Sequence, residues 1–172
     1  LSYEMVKILP KDNQVNIDYE KFKDRYGEQN IMAIGFIDSV LFKIDRLKSF
    51  NKLVEEIKLI RGVEHTYSLT SLPIIIKDTI HKKFINKEWY NNFIFSQRDL
   101  DSTVKLFNDQ VIYKNGLYND SLKSTIILVS LNHKIIQTAK RANVINNIRT
   151  ITDEYAAEHN LRFFYSGIPY IR

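Results

Sequence analysis

The chain has 172 residues, a hydrophobic fraction of 44% and a formal net charge of +5. This is one domain's worth of sequence with enough apolar residues for a core, which excludes a disordered or low-complexity protein. Cysteine is absent, which excludes a disulfide framework, a thiol nucleophile and cysteine-ligated zinc, and no apolar run approaches the ~20 residues of a membrane-spanning helix.

Residues 1–30 come first. Leu9-Pro10-Lys11-Asp12-Asn13 reads as a turn, and Tyr19, Phe22 and Tyr26 as a short helical stretch ending at Gly27. Ile31 to Ile37 is an apolar strand. The spacing of Ile44, Leu47, Phe50, Val54, Ile57 and Ile60 by threes and fours predicts an amphipathic helix. Gly62 is expected to cap it in the left-handed conformation. Val63 to Leu69 then alternates, with Val63, His65, Tyr67 and Leu69 against Glu64, Thr66 and Ser68.

Residues 71–120 are too many for a structureless connection in a compact domain. Helices are expected near Lys77–Phe84 and Arg98–Phe107, making this a helical insertion. Ser124 to Leu131 is a second apolar strand. A long helix is predicted from about Lys134 to His159, with Val144, Ile148, Ile151 and Tyr155 on one face and Asn160 as its left-handed cap. Leu161 to Tyr165 is the closing strand. The chain begins at Leu1 and stops at Arg172 just after this strand, so it reads as a piece of a longer protein.

The grammar is strand–helix–strand, twice. Strands one (31–37) and three (124–131) have no clean polar face, so they read as buried on both sides or flanked by neighbouring strands. Strands two and four carry polar positions, as edges do. A βαββαβ ferredoxin-like α+β sandwich puts strands one and three in the centre, with order 4-1-3-2 and both long helices on one face.

Catalytic motifs do not emerge. His65, His81, His133 and His159 show no HxxxH or HExxH spacing, so neither a catalytic nor a metal site is expected from them. Glu55 and Glu56 are adjacent on a helix and point apart. Asp99 belongs in the first turn of a helix. No GxGxxG, GxSxG or GKS/T motif cradles a phosphate. An acylphosphatase-type enzyme would need an Arg and an Asn at one phosphate, but Arg46 and Asn51 fall on a helix. Strand three has no aromatic for stacking bases, so no nucleic-acid partner is expected. No cofactor is expected. The remaining candidates are the rings of the insertion. Trp89, Tyr90, Phe93 and Phe95 lie within seven residues and could either pack the core or line a path for an apolar substrate.

The order of motifs resembles an extracytoplasmic loop domain of the RND superfamily of proton-driven exporters, in the MMPL-like and hydrophobe-exporter branch. The resemblance rests on Leu9-Pro10-Lys11-Asp12 with Tyr19-Glu20-Lys21-Phe22 and Arg25-Tyr26-Gly27. It continues through Ile34-Gly35-Phe36, then Ile60-Arg61-Gly62-Val63 to Ser68-Leu69-Thr70. It ends with Asn119-Asp120-Ser121-Leu122-Lys123-Ser124-Thr125 and Ser166-Gly167-Ile168-Pro169-Tyr170-Ile171. It implies that 1–30 follows a removed transmembrane helix and that 31–172 is a porter-type domain with 71–120 inserted. It further implies a bacterial inner-membrane protein with this domain in the periplasm, passing on apolar or amphipathic substrates. The implied partners are the transmembrane helices and second loop domain of the parent chain and an apolar or lipid-like substrate, with a homo-oligomer as a further possibility. The proton-coupling residues would lie outside this chain. The alternative is a ferredoxin-like ligand- or protein-binding module without a transport role.

Overall fold

The structure is a computed structural model, and it describes residues 12–15, 17, 18, 21, 25, 30–90, 96–108 and 116–171. Tyr19, Phe22, Tyr26 and the Leu9-Pro10-Lys11 turn lie outside the described residues, as do Phe93 and Phe95.

The fold is α+β. Among the described residues the main sheet has strands β1 (Ile31–Ile37), β2 (Val63–Tyr67), β5 (Tyr118–Asn119), β6 (Ser124–Leu131) and β7 (Phe163–Ser166). They run β2-β6-β1-β7, with the short β5 also on β6. Every pairing is antiparallel. The two uniformly apolar strands are thus central and the two more polar ones form the edges. Ile31 lies opposite Ser130 and Ile37 opposite Ser124, so β1 and β6 match along their length.

One face of this sheet carries both long helices, α1 (Ile44–Lys58) and α4 (Lys140–His159). Helix α1 buries Leu47, Phe50, Leu53, Val54 and Ile57, at the predicted spacing. Helix α4 buries Val144, Ile145, Ile148, Thr152 and Tyr155. They close on Met32, Ile34 and Phe36 of β1 and on Ile127, Val129 and Leu131 of β6. Phe36 is the meeting point. Its ring centroid is 5.7 Å from Phe50 of α1, 6.3 Å from Tyr155 of α4 and 4.6 Å from Phe163 of β7. One side chain therefore reports that both helices lie over the same face.

The ends of these elements differ from expectation for local reasons. Helix α1 stops at Lys58 with Leu59 as a right-handed cap. Gly62 has φ +112°, but it serves the turn into β2, where a Cβ would meet Val144 at 2.9 Å. Asn160 does cap α4 in the left-handed conformation, φ 52°. The helix begins at Lys140 rather than near Lys134, because α3 (His133–Ile136), capped by Asn132, takes the preceding turn. Strand β7 starts at Phe163. A short helix α5 (Ile168–Ile171) follows Gly167.

The insertion is only partly helical. Helix α2 (Gln97–Asn108) occupies the second predicted position. Ser96 and Asp99 cap it, since Asp99 Oδ2 accepts from the Ser96 amide at 3.1 Å and Ser96 Oγ accepts from the Asp99 amide at 3.2 Å. The first predicted helix, near Lys77–Phe84, is replaced by a hairpin of β3 (Pro73–Asp78) and β4 (Lys83–Glu88). The β-branched run Ile74-Ile75-Ile76 favours an extended chain. Asp78 then ties off the turn by accepting from the Ile80 and His81 amides, both at 3.0 Å.

Candidate functional site

The chemistry-bearing side chains are spread through the fold. His81 Nδ1 lies 2.7 Å from Asp78, at the hairpin turn. His133 sits between Asn30, 3.1 Å away, and Gln137, 2.7 Å away. His159 Nε2 is 2.8 Å from Ser49 Oγ, in a groove between α1 and α4. His65 lies beside Tyr67 on β2, their ring centroids 6.3 Å apart and the planes tilted by 47°. Among the described residues no three His, Asp or Glu side chains gather as a metal site. Arg46, the residue a phosphate pocket would need, has its Nε 3.4 Å from buried Asp38. Burial pushes the Tyr155 hydroxyl beside them up to about 12, against the pull of Arg46.

The ring candidates separate. Trp89 is 1% exposed. Its indole N–H donates to the Leu69 carbonyl at 2.7 Å, and its ring lies 4.9 Å from Phe107 and 6.5 Å from Phe42. Trp89 is therefore core and not a contact surface for a ligand. A hydrogen-bonded, ring-enclosed indole has no face left to offer. Tyr90 is half-buried against Trp89, and burial raises its hydroxyl pKa.

The exposed apolar surface lies elsewhere, on the face of the sheet opposite the helices. Alternation along β1 sends Ile31, Ala33, Gly35 and Ile37 there. Register aligns their neighbours into rows. One row is Phe164, Gly35 and Ile126. The next is Ser166, Ala33, Leu128 and Tyr67. Phe164 is 53% exposed and Tyr67 48% exposed, and Ile37 and Ile126 are exposed as well. The small residues Ala33 and Gly35 make a floor between Phe164 on one side and Ile126 and Leu128 on the other. Arg162 stands over Phe164, its guanidinium carbon 5.1 Å from the ring centroid.

Tyr67 reaches this face through a bulge. The β2–β6 register slips between Val63 and His65. An extra residue in one strand turns all later side chains over. Thr66 consequently pairs with buried Val129, while Tyr67 pairs with Leu128 on the open side. Sequence alternation alone had put Val63 and Tyr67 on one face. Phe164 was more legible, as the outward position in the alternating Phe163-Phe164-Tyr165-Ser166.

No family model matches this chain, and no curated protein matches it.

Proposed function

We propose that the chain is the extracytoplasmic porter-type domain of an RND-superfamily exporter, on the periplasmic side of a bacterial inner membrane, and that it helps pass apolar or amphipathic molecules outward. In this reading the sheet and its two helices are a ferredoxin-like βαββαβ unit, and 71–120 is an insertion between its second and third strands. The carrying observation is the open sheet face. Phe164, Tyr67, Ile126 and Ile37 present an apolar surface around a floor of Ala33 and Gly35. Contiguous exposed apolar surface marks contact with a partner, a membrane or an apolar ligand. In the parent chain that face packs on the second loop domain, and the cleft between them takes the substrate.

Two further observations support the reading. The strand order β2-β6-β1-β7 is the one such a unit requires. The segments that carry the resemblance include Ile60-Arg61-Gly62-Val63, at the start of β2, and Ser166-Gly167-Ile168-Pro169, at the end of β7. No helix among the described residues is long and apolar enough to cross a membrane, so the proton path that drives export belongs to other parts of the parent chain.

The test is Phe164→Asp in the intact parent protein, read as efflux of an apolar dye from cells. Loss of efflux with normal membrane insertion supports the reading. Unchanged efflux counts against it and favours a binding module without a transport role.

A further inference from the structure

The hairpin of β3 and β4 is an arm with its own chemistry. Every residue of β4 is exposed. Near the tip Ile80 is 85% exposed and Phe84 is 73% exposed, with Ile76 and Ile85 exposed behind them. Four lysines accompany them, Lys77, Lys82, Lys83 and Lys87, against Asp78 and Glu88. Asp78 is turned inward on the arm itself. It holds His81 Nδ1 at 2.7 Å and accepts from two backbone amides. Its charge is thus spent on shaping the turn, which Lys82 closes with φ 52°. What faces outward at the tip is cationic and apolar together. Lys77, Lys82 and Lys83 surround a hollow of about 290 Å³ that Phe84 also lines.

We propose that this arm docks on an anionic phospholipid surface. The lysines meet headgroup phosphates, and Ile80 and Phe84 enter the boundary between headgroups and acyl chains. Charge complementarity argues for lipid. Lysine near an anionic bilayer is attracted over a Debye length, and exposed aliphatic and aromatic side chains beside it add the short-range apolar contribution. A two-stranded hairpin is marginal in water alone, and the Asp78 turn presents it already formed, which lowers the ordering cost of docking. This inference does not rest on the transporter reading. The arm follows β2 at the end of the sheet opposite Gly167.

The experiment is vesicle co-sedimentation of the 172-residue chain with phosphatidylcholine vesicles and with vesicles containing phosphatidylglycerol. Binding is expected to the anionic vesicles, to fall with added salt and to be undisturbed by millimolar inorganic phosphate. Two double variants are compared, I80S/F84S and K82E/K83E. Each is expected to weaken binding roughly tenfold or more, K82E/K83E through the electrostatic contribution of each lysine and I80S/F84S through the lost apolar insertion. Both should keep the far-ultraviolet circular dichroism spectrum, because these side chains lie outside the core. Equal binding to neutral and anionic vesicles, or unweakened binding by either variant, overturns the proposal. So does competition by free phosphate at millimolar concentration, which would make the hollow a simple anion site.

Discussion

The indole N–H of Trp89 donates to the main-chain carbonyl of Leu69 across 2.7 Å, with both residues buried. This contact fastens the end of the hairpin arm to the turn that follows β2, and so ties the insertion into the core of the sheet. Phe107 of α2 closes over the same ring. Trp89→Phe keeps the aromatic packing but leaves the Leu69 carbonyl without its donor. The expected loss of stability is about 1–3 kcal/mol, measured from urea denaturation midpoints. Trp89 is the single tryptophan, so native emission is expected at short wavelength. It should stay there when vesicles or detergent below its denaturing level are added. A red-shifted native spectrum would contradict the burial.

Gly167 has φ +112°, and a Cβ on it would collide with the Ile31 carbonyl. No rotamer relieves a clash with backbone. Gly167→Ala is expected to destabilise the domain by about 1–3 kcal/mol, with hydrogen exchange rising first at β7 and the start of β1. A variant as stable as the parent would show that the β7 end tolerates a different path.

His159 is 15% exposed and lies against the Tyr155 ring and Ser49. Burial, and then the nearby Arg46, hold its pKa below the ordinary 6.5. The folded state therefore binds this proton less readily than the unfolded chain. Stability from this source is present above the ordinary imidazole value and is lost as pH falls below it towards the folded value. Denaturation midpoints should thus fall as the pH is lowered through and below the ordinary imidazole value of 6.5, and the fall should be smaller in His159→Gln. An unchanged slope in that variant would remove His159 as the cause.

Phe164 is half exposed and makes the wall of the open face. Phe164→Asp in this domain is expected to change stability by no more than about 0.5 kcal/mol, as exposed substitutions usually do. It should also reduce binding of an apolar fluorescent probe. A large loss of stability would mean that the ring belongs to the core of this domain and not to a contact surface.

The central sheet and α1 were legible because β1 and β6 are nearly uninterrupted apolar runs with a strand on either side, although only one of their faces is buried, and because α1 repeats its apolar positions at helical spacing. The hairpin was not. Lys77 to Phe84 contains no Gly or Pro to announce a turn, and the device that makes one is an Asp78 side chain bonding to backbone two and three residues on. The bulge in β2 was equally hidden, since a register slip depends on the partner strand and not on local composition. That slip decides which face Tyr67 occupies. Trp89 illustrates the limit for the site. A cluster of rings is the same in sequence whether it binds a ligand or fills a core, and the Leu69 carbonyl that decides between them lies twenty residues away.

The most direct test of the exporter reading is the parent gene on either side of this chain. The account predicts an apolar segment of ~20 residues shortly before Leu1 and another shortly after Arg172, with reporter fusions within the present domain active on the periplasmic side. A parent protein with no such segments, or with this domain on the cytoplasmic side, would contradict it.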